Sequence, residues 1–236
     1  MVNPHTLPLR LARQVFVVTT LLLFDPDSDG TGANQGRRPG PPQVGNERFV
    51  KDASAAVSLG APTREALAKG QHPFAMVLSC ADSRVPPEYI FNVGLGDLFV
   101  IRAAGEVIDR SVMASLEYGA EHLDIPLLIV MGHESCGAVQ AAVESTAVEG
   151  PNMQYLVKAI RAGTDRSPSE RKELRGAILA NVEQVINDAM AGSQILRRAV
   201  AKGTLQMVGA YYELSTGRVM FSDPVPPPPA APPAKK

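Results

Sequence analysis

Four short, largely apolar runs set the strongest limit on how this chain folds. They are Phe74–Ser79 (FAMVLS), Leu98–Ile101 (LFVI), Leu127–Met131 (LLIVM) and Leu205–Tyr212 (LQMVGAYY). Runs of this length without polar alternation suit strands buried on both faces of a parallel sheet. Helical patterns lie between them. Arg110–Leu123 carries Val112, Leu116, Ala120 and Leu123 at helical spacing. Asn152–Gly163 and Ser169–Lys202 are helical in pattern too, with Ser167-Pro168-Ser169-Glu170 as a helix start. Gly217–Phe221 reads as a final strand that pairs with the fourth across a short turn. The alternation predicts an α/β fold: a mostly parallel central sheet flanked by helices, with a final antiparallel edge strand.

The ends differ from this middle. Residues 1–44 form an arm: Arg10 and Arg13 precede the uncharged stretch Val15–Phe24, which resembles a secretory signal, and a Pro/Gly-rich linker follows. No small-x-small cleavage site follows that stretch, so the expectation leans to a cytoplasmic protein over an exported, periplasmic one. Residues 45–222 carry the strand and helix patterns and are expected to be the folded domain. Residues 223–236 are dominated by proline and alanine and should form an extended, solvated tail. A net charge of −1 offers no electrostatic reason to expect nucleic acid as a partner. No apolar run reaches the ~20 residues of a membrane-spanning helix.

The chemistry collects at two strand ends. Cys80-Ala81-Asp82-Ser83-Arg84 directly follows the first run, and Gly132-His133-Glu134-Ser135-Cys136-Gly137 directly follows the third. Open α/β sheets place their ligands at the carboxyl ends of strands. Cys80 and Cys136 are the chain's two cysteines, and both fall there. A helix beginning near Ser135 would put His133 and Cys136 on one side of its first turn. With Cys80 they offer two sulfurs and a nitrogen, a catalytic type of zinc site with an open fourth position. Two buried thiols without metal, or a Cys80–Cys136 disulfide, remain open readings at this point. Asp82 has two possible uses: a fourth ligand closing the site, or a partner of the Arg84 guanidinium held off the metal.

C-x-D-S-R after one strand and G-H-x-x-C-G after another resemble the β-class carbonic anhydrases. The resemblance continues in Gly45-Asn46-Glu47-Arg48-Phe49, Val85-Pro86-Pro87-Glu88, Gly94-Leu95-Gly96-Asp97-Leu98-Phe99 and Ser115-Leu116-Glu117-Tyr118. It covers about residues 44–222. Two departures stand out. Arg102-Ala103-Ala104-Gly105-Glu106 stands where many members have R-N-A-G-N, and Pro-rich sequence replaces the helix that usually leads into G-N-x-R-F.

The resemblance implies zinc (Zn²⁺) bound by Cys80, His133 and Cys136, with Asp82 and Arg84 as a catalytic dyad. Gln71, Phe99, Tyr118 and the Gly137 amide are implied in substrate binding. The implied activity is reversible hydration of carbon dioxide to bicarbonate and a proton, with zinc activating water. A homodimer or higher homo-oligomer with active sites at the subunit interface is implied too. Two other outcomes stay open: a silent zinc-binding homologue closed by Asp82, and a hydrolase of a related small electrophile such as carbon disulfide.

Overall fold

A computed structural model describes residues 41–144, 148–164 and 173–227. The signal-like stretch, the linker up to Gly40, the Ser167–Glu170 helix start and the tail beyond residue 227 lie outside them. The described elements run α1 (Pro42–Val50), α2 (Ala61–Leu67), β1 (Ala75–Ser79), α3 (Pro87–Ile90), β2 (Leu98–Arg102), α4 (Arg110–Glu121) and β3 (Leu127–His133). They continue with α5 (Gly137–Val143), α6 (Pro151–Thr164), α7 (Leu174–Gly192), α8 (Gln194–Lys202), β4 (Gln206–Tyr212) and β5 (Val219–Phe221). A single 3-10 turn at Ala104–Glu106 joins β2 to the approach to α4.

The five strands form one sheet in the order β2-β1-β3-β4-β5. The first three pairings are parallel, and β5 pairs antiparallel with β4. This is the predicted architecture, and burial explains why it was legible. Every residue of β1 and β3 is buried, so neither strand has a solvent face on which to place polar residues. Met76, Leu78, Leu128 and Val130 face α4, α7 and α8, while Val77, Ile129 and Val208 pack on the other face against Ile90 and Phe91. Each such fully buried side chain contributes about 1.5–3 kcal/mol.

Local caps set the element ends. The Asp109 carboxylate accepts from the Val112 amide and starts α4. The helical pattern over Ser169–Lys202 is two helices in the structure. The buried Ser193 has extended backbone and its hydroxyl caps α8 by accepting from the Leu196 amide. α1 begins at Pro42, so the expected boundary between arm and domain falls inside this helix. It is anchored by Asn46, whose side-chain amide donates to the Ile90 and Gly217 carbonyls and whose oxygen accepts from the Val219 amide.

The topology also creates the site. The chain leaves β1 toward β2 on one side of the sheet and leaves β3 toward β4 on the other. The crevice between the carboxyl ends of β1 and β3 is therefore the switch point, where doubly wound sheets bind ligands.

Candidate metal centre

Cys80 directly follows β1, His133 is the last residue of β3, and Cys136 is the N-cap of α5. The sequence expectation that His133 and Cys136 share a helical turn is not met. Ser135 between them takes a left-handed conformation (φ 55°), which turns the chain back on itself so that a strand residue and a cap residue face each other. One ligand atom from each of Cys80, His133 and Cys136 lies within 4.8 Å of the others. All three side chains are buried: Cys80 is 5% exposed, Cys136 1% and His133 0%. Both cysteines are free, so the disulfide reading does not hold here.

His133 is prepared for a ligand. Its Nδ1 lies 2.9 Å from the Glu134 carbonyl, which can only accept, so Nδ1 carries the hydrogen. Nε2 is left with its lone pair, fully buried and with no hydrogen-bond partner in the protein. A buried nitrogen without a partner is costly, and a metal ion held by these three side chains would satisfy it. Two thiolates and an imidazole are a soft donor set that suits zinc and not calcium or magnesium.

The thiols share protons unequally. Cys80 is lowered to about 4, chiefly by a hydrogen bond from Cys136, with His133 and the Gly105 amide assisting against burial. Cys136 is pushed up by the same hydrogen bond and by burial. For His133, burial pushes the imidazole down, but the nearby Cys80 sulfur outweighs it and the net shift is upward.

Asp82 and Arg84 form a fork. Arg84 Nε and the Arg84 amide each donate to Asp82 Oδ1 at 2.9 Å, and Nη2 donates to Oδ2 at 2.7 Å. Oδ1 thus receives two donors and Oδ2 one. The less occupied Oδ2 is the oxygen that faces His133 Nε2, at 3.9 Å. The Arg84 hydrogen bond holds the Asp82 carboxyl well below the usual carboxylate range. Arg102, at the end of β2, braces the loop from below by donating to the Cys80 carbonyl at 3.0 Å and the Asp82 carbonyl at 2.5 Å.

The sequence profile of the carbonic anhydrase family matches residues 75–219, which span all three candidate ligands and the dyad. The chain belongs to the β-carbonic anhydrase family. It is 37% identical over 190 residues to carbonic anhydrase 2 of Mycobacterium tuberculosis, covering 76% of this chain and 88% of that protein. A carbonic anhydrase of Mycolicibacterium smegmatis is 40% identical over 183 residues, covering 74% and 87%. Among solved structures, the Coccomyxa β-carbonic anhydrase in complex with acetazolamide superposes with a TM-score of 0.61 at 29% identity, over 68% of this chain and 77% of that one. A tetrameric β-carbonic anhydrase of Sordaria macrospora gives 0.60 at 25% identity, over 67% and 84%.

Against this β-carbonic anhydrase frame, the remaining predicted site residues separate. Gly137 opens α5 next to Cys136, with open space above it. Gln71, Phe99 and Tyr118 are not brought to this chain's own cluster. Gln71 precedes β1 whereas Cys80 follows it. Phe99 pairs in register with Met76, four residues before Cys80, or about 13 Å along the strand. Its ring stacks on Tyr118 with centroids 6.2 Å apart, and Tyr118 is 47% exposed.

Three residues at the site escaped the sequence reading: Arg102, Asn181 and the function of Glu106. Glu106 is fully buried. Desolvation raises its carboxyl to about 8, against the hydrogen bond from Asn181, which lowers it. The one signal for it was the departure from R-N-A-G-N. Asn181 lies 75 residues further on in the middle of a long helix and carried no local signal.

Proposed function

We propose that this protein is a zinc-dependent carbonic anhydrase that hydrates carbon dioxide reversibly to bicarbonate and a proton. The observation that carries this reading is the buried Cys80–His133–Cys136 donor set with an ionised Asp82 beside it, in a member of the carbonic anhydrase family. Zinc held by these three side chains supplies Lewis acidity that activates water as a nucleophile; with two thiolates neutralising its charge, it is a weaker acid than a three-histidine site.

The protein's own groups do the rest. Asp82 presents a free lone pair on Oδ2 toward the cluster, accepts a hydrogen bond from the attacking water and aims its oxygen at the substrate carbon. Arg84 keeps Asp82 ionised and holds its carboxylate by a fork of hydrogen bonds, 3.9 Å from His133 Nε2. The Gly137 amide donates to the substrate or product oxygen. Burial of the three ligands keeps bulk water from competing for the donors.

The same reading assigns an oligomer. Gln71, Phe99 and the exposed Tyr118 lie at the far end of the sheet from their own cluster and serve a partner's site in a homodimer or larger assembly. Light scattering on the purified protein tests this, and a monomer with full activity contradicts it.

Carbon dioxide hydration measured by stopped flow, before and after chelation of the metal, tests the activity. Hydration that disappears with the metal is expected. Full activity in metal-free protein refutes the proposal, and turnover of carbon disulfide without hydration of carbon dioxide reassigns the substrate.

A further inference from the structure

Glu106 occupies an unusual place for a carboxyl group. It lies in a turn with two successive left-handed residues, Gly105 (φ 61°) and Glu106 (φ 47°). A glutamate in that conformation is strained, and its side chain is fully buried. Two contacts explain what the strain secures. Asn181, from α7, donates one side-chain amide to both Glu106 Oε1 and the Gly105 carbonyl, each at 2.8 Å. The Gly105 amide in turn donates to Cys80 Sγ at 3.3 Å. The chain of contacts thus runs from Glu106 through Asn181 and Gly105 to a metal-ligating sulfur.

The turn that carries Glu106 also lies beside the second ligand strand. A methyl group in place of the Gly132 hydrogen would sit 3.4 Å from Glu106 Oε1 and 2.8 Å from Ile178 and Val182. Gly132 directly precedes His133, and the close neighbours that require glycine there are Ile178 and Val182. One buried acid therefore sits behind the support of the Cys80 sulfur and beside the strand that ends in His133. Groups placed in this way orient ligands and tune the donor strength of their atoms.

We propose that Glu106 and Asn181 form a clamp that positions the Gly105 amide on the Cys80 sulfur, with Glu106 as its hydrogen-bond acceptor. The role is that of a positioning residue: Glu106 acts on Cys80 through Asn181 and Gly105. The proposal rests on Cys80, His133 and Cys136 being the metal ligands.

Cobalt(II) replacement of the metal tests it, because thiolate-to-cobalt charge transfer reports directly on the sulfur donors. Wild type, Glu106→Gln, Glu106→Leu and Asn181→Ala are compared for this absorption band and for metal retention against a competing chelator. Circular dichroism confirms folding. Glu106→Gln keeps an acceptor oxygen in the same place, so its band and its affinity should match wild type. Glu106→Leu fills the space but removes the acceptor, and should shift the band and weaken metal retention about ten- to a hundredfold. Asn181→Ala cuts the same link from the other side, and tests it even if Glu106→Leu does not fold. Unchanged band and affinity in folded Asn181→Ala or Glu106→Leu overturn the clamp. A tenfold loss in Glu106→Gln overturns the acceptor role. Wild type without a thiolate band refutes the ligand assignment itself, and the clamp falls with it.

Discussion

The two loops that meet at the metal centre are built from different materials. The loop after β1 is held mainly by side chains: Arg102 donates to its carbonyls and Arg84 forks onto Asp82, with the backbone adding the Ala81 amide on the Ala103 carbonyl and the Gly105 amide on the Cys80 sulfur. The loop after β3 is held mainly by backbone. Glu134 extends the β-ladder by donating to the Tyr212 carbonyl at 2.8 Å, His133 is oriented by the Glu134 carbonyl, and Ser135 makes its turn through a left-handed φ. Each loop carries one thiol and one ionised carboxylate: Cys80 with Asp82 on the first, Cys136 with Glu134 on the second, and the hydrogen bond between the thiols lowers Cys80 and raises Cys136.

Removing a ligand from either side should have the largest effect and abolish the contrast. Cys80→Ser and Cys136→Ser are each expected to lose bound zinc and to hydrate carbon dioxide at the buffer rate, read by metal analysis and stopped flow. Retained activity in one of them would show that its loop is dispensable. Asp82→Asn should sharpen the contrast, since it leaves all three ligands in place. Zinc content is expected to stay at wild-type level while kcat falls about a hundredfold, the scale of a lost proton acceptor. An equal loss of zinc would make Asp82 a ligand.

The smallest expected effects compare the two supports directly. Arg102→Ala should weaken metal retention about tenfold by freeing the Cys80–Asp82 carbonyls. Ser135→Gly asks nothing new of the backbone, because glycine adopts left-handed φ freely, and should change stability by less than about 1 kcal/mol with metal retention unaltered. If Ser135→Gly costs as much metal as Arg102→Ala, the second loop depends on its side chain and the distinction fails.

Much of this was legible in the sequence for a physical reason. Strands buried on both faces must be apolar throughout, so β1 and β3 announce themselves, and the residues that break the apolar run mark where chemistry begins. Cys80, His133 and Cys136 follow from that alone as candidates. What stayed hidden is whatever depends on contacts distant in sequence or on a single dihedral angle. Asn181 reaches Glu106 from 75 residues away. Ser135 looks like an ordinary helix start until its φ of 55° is seen. The break at Ser193 interrupts a pattern that keeps its apolar spacing on both sides, with Ser193 itself buried against Glu117 through a 2.6 Å hydrogen bond. Gln71, Phe99 and Tyr118 looked like part of one pocket in sequence, yet the length of β1 separates Gln71 from the ligands of its own chain.

Returning zinc to metal-depleted protein, with carbon dioxide hydration followed by stopped flow at each addition, tests the central claim most directly. Activity is predicted to rise in proportion to bound zinc and to level off at a single ion per chain. Hydration that is already complete without zinc, or that stays absent once the Cys80–His133–Cys136 site is filled, would contradict it.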